Sequence, residues 1–174
     1  EVFRQADRIR PPENRVICTG WSSFLGGNNF RCSRSKGHGA INLMDAIKYS
    51  CNTYMFTIAK QIGPKKIIEV AKKFGFDSLT EIDLPGELSG FVPTEEKKKE
   101  KQGTKWSLGD TLNLSIGQGF LLTTPMQLAR FITTIASGGK LFTPRISSAL
   151  QSRYSYVHID PSHLEIIRTT LYNT

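Results

Sequence analysis

"TTPMQLARFITTIASGG", Thr123 to Gly139, is the stretch on which the fold turns. Leu128, Ala129, Ile132 and Ile135 recur at three- and four-residue spacing, the period of one helix face. Thr124 suits an N-cap, and Pro125 suits the first helical position, where its missing N–H costs nothing. Gly138-Gly139 ends the run. The pattern predicts a helix from Thr124 to Ser137.

Outward from it the chain reads as helices with little sheet and no internal repeat. "KLFTPRI" (140–146) suggests a short strand, and Asp160-Pro161 opens a last helix with Leu164, Ile167 and Leu171. Upstream, "EIDLPGELSGFVPT" (81–94) reads as extended chain and turns. Pro64 opens a helix lined by Ile67, Ile68, Ala71 and Phe74 and stopped by Gly75. Asn42, with Asp45 three residues on, starts another along Leu43, Ala46 and Ile47. That pattern breaks at Ser50 and resumes with Tyr54, Met55, Ile58 and Ile62, ending at Gly63. Residues 1–40 hold the turn-rich runs "RPPENR", "GWSSFLGGNN" and "SKGHGA", with a short strand at Arg15 to Cys18. Such a segment is hard to order by packing alone, which favours a cross-link or a metal.

Composition narrows the function classes. A chain of 174 residues that is 39% hydrophobic and 22% charged can bury a core and is globular. No run approaches the ~20 apolar residues of a membrane span. The first residues, "EVFRQADRIR", carry neither a signal peptide nor an initiator methionine, and "IIRTTLYNT" ends inside an apparent helix. Both ends read as cuts through a larger protein. The net charge of +8 could favour nucleic acid, anionic lipid or an acidic polymer. Yet the densest charged run, "EEKKKEKQGTK" (95–105), mixes signs and has no interleaved aromatics. It reads as a solvated loop, and no nucleic-acid role is expected.

The chemistry concentrates in "KYSCNTY", Lys48 to Tyr54. Ser50 and Asn52 flank Cys51 at the helix break. Read alone, Ser50 bends the helix and Asn52 caps its second half. Successive helical side chains point about 100° apart, so Cys51 can face away from its neighbours. Three cysteines are an odd count, which disulfides cannot exhaust. Cys18, Cys32, His38 and Cys51 form a Cys-x13-Cys-x5-His-x12-Cys set that uses them all. Three thiolates and one imidazole suit a closed, tetrahedral structural zinc site. A Cys18–Cys32 disulfide beside a buried Cys51, or three buried thiols, remain open. The disulfide explains neither His38 nor Cys51. His158 and His163 lie in a polar tail and are expected to face solvent.

"SCN" (50–52), "EIDLPGELSGFVPT" (81–94), "GDTLNLSIGQGFLLTTPMQLA" (109–129) and "SGGKLFTPRI" (137–146) resemble the transpeptidase domain of class B penicillin-binding proteins. The likeness is greatest to the penicillin-binding protein 2 group of cell-elongation enzymes and runs from about Val16 to Ile146. It implies a mostly α part of an α/β penicillin-binding/β-lactamase-like transpeptidase fold. Residues 1–174 would be an internal part of one domain, with 1–40 the irregular metal-binding segment and 41–174 the mainly helical portion.

The family uses SxxK, SxN or SxD, and KTG motifs. Only the second is matched here. No Ser-x-x-Lys stands where a nucleophile helix could start, and Lys-Thr-Gly is absent. The resemblance places the first motif before Glu1 and the third after Thr174. It implies a serine that attacks a D-Ala-D-Ala stem peptide of peptidoglycan, or a β-lactam, through an acyl-enzyme. Ser50 would relay a proton, while Asn52 would offer its amide to the substrate backbone and help position the lysine. Gly117-Gln118-Gly119 and Thr124-Pro125 would be scaffold.

Some members of the group carry a metal site beside the second motif, with aspartates at some ligand positions. The match here is Cys18, Cys32, His38 and Cys51, implying structural zinc that the chemistry itself does not need. The resemblance also implies membrane proteins of the elongation complex as partners. It implies a place on the periplasmic side of the bacterial inner membrane, with an N-terminal anchor outside this chain. Disulfides persist there too. Two alternatives stand beside this reading. A serine β-lactamase or β-lactam sensor would share the fold, but those families lack the "DLPGE…SG" and "IGQG…TPMQLA" stretches in this form. A zinc-stabilised basic binding module without catalysis would bind nucleic acid in a salt-sensitive way. Purified residues 1–174, lacking nucleophile and third motif, are expected to stay unlabelled by a fluorescent penicillin. A covalent adduct confirmed by mass would overturn the auxiliary role of Ser50.

Overall fold

The computed structural model describes residues 15–21 and 30–174. Its order is β1 (Val16–Cys18), β2 (Gly39–Ile41), α1 (Leu43–Lys48), α2 (Asn52–Ile62), α3 (Pro64–Lys73), α4 (Glu95–Gln102), α5 (Leu108–Ser115), α6 (Pro125–Ala136), β3 (Lys140–Thr143), β4 (Arg153–Tyr156) and α7 (Pro161–Tyr172). The turn-rich runs at 1–14 and 22–29 lie outside the described residues.

Helix α2 is the hub. It buries Thr53, Tyr54, Phe56, Ile58 and Ala59, and packs against β1, α1, α3 and α5. A core of Val16, Cys18, Cys32, Ile41, Leu43, Ala46, Cys51, Tyr54 and Ile58 forms where β1, β2 and α1 meet it. β1 and β2 pair antiparallel, with Val16 opposite Ile41 and Cys18 opposite Gly39. Further along, α6 packs on β3, which pairs antiparallel with β4. Helix α7 returns to rest on α1 and α6. Phe131 of α6 meets Phe74 and Phe76 at the end of α3, with ring centroids 5.0 and 5.6 Å apart.

Helices α3, α5 and α6 close alike. In each, a glycine with positive φ (Gly75, Gly117 or Gly138) follows the C-cap. The glycine and the residue after it donate back to the last turn, as in the bonds from Gly117 N to Leu114 O and from Gln118 N to Asn113 O. This is the Schellman closure, and glycine supplies its left-handed position without a Cβ clash.

The 124–137 helix is present with a full capping box between Thr124 and Gln127, but its buried face differs from the expected one. Leu128, Ala129 and Ile132 are exposed, whereas Gln127, Thr134 and Ile135 are buried. Gln127 is buried with its amide bonded at both ends. Its Oε1 accepts from Thr124 N, and its Nε2 donates 2.8 Å bonds to both Ser78 O and Ser89 O. A fully bonded amide can be buried where an unbonded one cannot.

Two other expectations need correction, and one helix goes unread in the sequence. The charged 95–105 run is no loop but opens with helix α4, which Thr94 caps through the Lys97 N–H. Glu95 and Glu96 lie in its first turn, Lys99 and Lys101 in its last, and left-handed Gly103 follows, so the charge order suits the helix dipole. Helix α5, unread in the sequence, is started by a reciprocal capping box between Ser107 and Asp110. His163 is buried on α7, beside Leu164 and Thr170, where α7 packs on α1 and α6; His158 is exposed. Replacing Gln127 by Leu leaves two carbonyls and an N–H without their partner. Urea unfolding should show a loss of about 2–4 kcal/mol.

Candidate metal centre and the Ser50–Asn52 turn

Helix α1 closes with the same two bonds as α3, α5 and α6. Ser50 N donates to Ile47 O (3.3 Å) and Cys51 N to Ala46 O (2.8 Å). Here, however, the left-handed position holds Ser50, with φ of 52°, where the other three helices place glycine. A side chain in that region costs roughly 1–2 kcal/mol. The turn sends three consecutive side chains different ways. Ser50 is exposed, Cys51 is fully buried, and Asn52 is half-buried at the first position of α2. Asn52 does not cap that helix. Cys51 is the N-cap, with no side-chain cap bond, and Asn52 Nδ2 donates instead to Arg31 O at 3.0 Å.

Cys51 joins the other three sequence-predicted ligands. The β1–β2 register sets Cys18 opposite Gly39, which brings in His38 just before β2. Cys32 is held by its N–H to Gly20 O at 3.0 Å. The two segments approach too closely for side chains. A Cβ on Gly20 would lie 2.0 Å from Ser35 O, and one on Gly37 2.1 Å from Cys18 O.

The four ligand atoms all lie within 4.8 Å of one another. Cys32 Sγ is 3.9 Å from Cys51 Sγ and 3.4 Å from His38 Nδ1, and Cys18 Sγ is 3.6 Å from the same nitrogen. Zinc bonded tetrahedrally at ~2.3 Å to sulfur and ~2.0–2.1 Å to nitrogen would set those edges at about 3.8 and 3.6 Å. The spacing and the donor set therefore fit a zinc ion, with Nδ1 as the histidine donor. The three cysteines are free thiols.

Their electrostatics are uneven. Burial opposes ionisation of Cys18, but Thr53, His38 and nearby backbone groups outweigh it and lower its pKa to about 6. Burial also opposes Cys32, and the backbone at Arg34 and Thr53 brings it below the ordinary thiol value. Cys51 is pushed up to about 12, chiefly by burial, with Cys18 and Cys32 adding to the effect. His38 is raised, first by its bond with Cys18. Without a cation, three anionic sulfurs at this spacing are unfavourable. A divalent ion removes that conflict by binding thiolates and neutral imidazole together.

Two literal Ser-x-x-Lys strings exist, and neither opens a helix. Ser33 to Lys36 is turn in the metal loop, while Ser137 caps the end of α6 and Lys140 begins β3. The carboxylates of "DLPGE" brace loops. Asp83 accepts from Ile146 N (2.6 Å) and Ser147 N (2.9 Å), and those bonds hold it below the usual carboxylate range. Glu87 accepts from Thr80 N (2.7 Å) and Glu81 N (2.9 Å), and from the Thr80 hydroxyl. Sequence reasoning missed Arg31, Ser33 and Thr53, which all touch the metal loop or the turn. The glycines in "CTG" and "KGHG" were the available signal of close backbone packing there.

With fold and site in place, the chain belongs to the penicillin binding protein transpeptidase domain family, which it matches over residues 18–174. Within it, the likeness is to penicillin-binding protein 2 of class B. The chain is 37% identical over 122 residues to the peptidoglycan D,D-transpeptidase MrdA of Acinetobacter baumannii, across 70% of this chain and 18% of that protein. It is 30% identical over 161 residues to MrdA of Haemophilus influenzae, across 92% of this chain and 25% of that protein. Penicillin-binding protein 2 of Helicobacter pylori, solved in complex with MreC, has a TM-score of 0.90 and 28% identity, across 99% of this chain and 33% of that one. The chain thus spans a quarter or less of these two curated relatives.

Ser50→Gly separates the two readings of the turn. Glycine relieves the left-handed strain, so the melting temperature should hold or rise, by up to about 1 kcal/mol in stability. A marked loss of stability would instead make the serine side chain a structural part of the turn.

Proposed function

We propose that this chain forms one wall of the active site of a serine-type peptidoglycan D,D-transpeptidase, with Ser50 and Asn52 as its second catalytic motif. The observation that carries the reading is the Ser50–Cys51–Asn52 turn. Its middle residue is committed to the Cys18–Cys32–His38–Cys51 cluster, while Ser50 is exposed in the left-handed region and Asn52 is half-buried beside it. Strained residues cluster at functional sites.

In the proposed reaction, a serine elsewhere in the whole protein attacks the D-Ala-D-Ala carbonyl of a stem peptide and expels the terminal D-alanine. The acyl-enzyme then passes to an acceptor amine, and β-lactams acylate the same serine. Ser50 hands a proton to the leaving amine, since a general acid within hydrogen-bond reach lowers that barrier. Asn52 binds the substrate's peptide backbone through its carboxamide. Cys18, Cys32, His38 and Cys51 would hold zinc in a structural part, since four protein donors leave no position open for substrate. Bound there, it would fix where the turn stands, and a 1 Å displacement of a catalytic group can cost about 10² in rate.

Support for the wider setting comes from the relatives. The MrdA proteins are peptidoglycan D,D-transpeptidases, and the Helicobacter protein is solved with MreC. The proposal sets the whole protein at the periplasmic side of the inner membrane, working with membrane proteins of cell elongation. The basic-module alternative would show salt-sensitive nucleic-acid binding; none is expected.

Protein purified without chelator should hold one zinc per chain by elemental analysis, and Cys51→Ser should lose it. A metal-free chain with a Cys18–Cys32 disulfide would overturn the zinc assignment. In the full-length protein, Ser50→Ala should slow acylation by a fluorescent penicillin about 10²- to 10⁴-fold. An unchanged rate would remove Ser50 from the reaction.

A further inference from the structure

We propose that Ser33, together with the backbone carbonyl of Arg31, is a positioning element for the Ser50–Asn52 motif and holds it directly rather than through the metal. This rests on the reading that Ser50 and Asn52 serve the reaction. Two ligand-bearing triplets run past one another head to tail, Arg31-Cys32-Ser33 against Asn52-Cys51-Ser50. At the centre, the two cysteine sulfurs are 3.9 Å apart. On one side Asn52 Nδ2 donates to Arg31 O at 3.0 Å, and on the other Ser33 Oγ donates to Ser50 O at 3.1 Å. Both residues flanking Cys32 therefore grip both residues flanking Cys51.

The grip has work to do at each end. Ser50 stands in the left-handed region, and such a residue stays there only where its surroundings over-determine it. The N–H groups of Ser50 and Cys51 are tied back into α1, and the Ser33 hydroxyl takes hold of the Ser50 carbonyl. At the other end, a carbonyl accepts only from the nitrogen end of a carboxamide, so Arg31 O fixes which way the Asn52 amide faces. That leaves the second N–H and Oδ1 to meet a substrate peptide group, which offers one acceptor and one donor. The Arg31 segment is itself anchored. Trp21 and Arg31 form an antiparallel bridge, and the Arg31 guanidinium lies 4.3 Å from the centre of the Trp21 ring.

Ser33→Ala and Ser33→Thr, made in the zinc-loaded chain and in the full-length protein, test the proposal. Amide hydrogen exchange reads local opening of the turn. In the chain, Ser33→Ala should speed exchange at Ser50, Cys51 and Asn52 about fivefold, the size of one net side-chain hydrogen bond. Zinc should stay at one per chain, and Ser33→Thr should restore the native rate. In the full-length protein, Ser33→Ala should lower the penicillin acylation rate constant about fivefold at unchanged apparent Kd, again with rescue by threonine. Native exchange in Ser33→Ala overturns the proposal, as does unchanged acylation. Loss of zinc in parallel also overturns it, because Ser33 would then act through the metal. Should the unsubstituted full-length protein never be labelled, the transpeptidase reading fails instead, and exchange in the chain still decides whether Ser33 holds the turn.

Discussion

Everything near the site depends on where the Cys51 side chain goes. It is fully buried, points into the cluster with Cys18, Cys32 and His38, and sits in the turn between α1 and α2. Burial pushes that thiol up to about 12, and a cation held beside it would favour the thiolate. Because Cys51 is fixed, the residues on either side of it are fixed too, and β1, β2 and the loop before β2 are drawn onto the start of α2. Cys51 and the catalytic candidates thus share one piece of backbone, which ties the cluster to the turn.

The comparison among helix ends makes the same point. Three helices reach the Schellman closure with glycine, and the fourth reaches it with serine. Local propensity alone would favour glycine at all four. A residue that is locally worse yet placed where its hydroxyl is exposed marks a position under a second demand.

How much of this was legible in the sequence differs from feature to feature. The grouping of Cys18, Cys32, His38 and Cys51 was readable because it rests on residue identity, and an odd cysteine count with one histidine between glycines leaves few arrangements. Helices with apolar periodicity or Pro and Gly punctuation were also legible, including the 124–137 helix and the turn after Lys48. What was hidden depended on bonding between distant parts. Gln127 reads as a surface residue until Ser78 and Ser89 are seen to share its amide. The 95–102 helix has no apolar face, and only its caps and charge order reveal it. His163 looked like tail because nothing in sequence announces that α7 returns to α1. The Arg31 and Ser33 bonds to the turn run through a carbonyl and a single hydroxyl, which leave no pattern.

That return of α7 bears on the order in which the chain assembles. The four ligands all fall between residues 18 and 51, whereas α7 begins at Pro161 and still reaches α1. Closing a short loop is faster and entropically easier than closing a long one. The cluster of Cys18, Cys32, His38 and Cys51 can therefore close before Pro161 is made, whereas α1 waits for α7 to cover it. On the zinc reading, a shortage of the ion would be felt first in the unfinished chain, at the closing of the 18–51 segment, before it touched the mature protein.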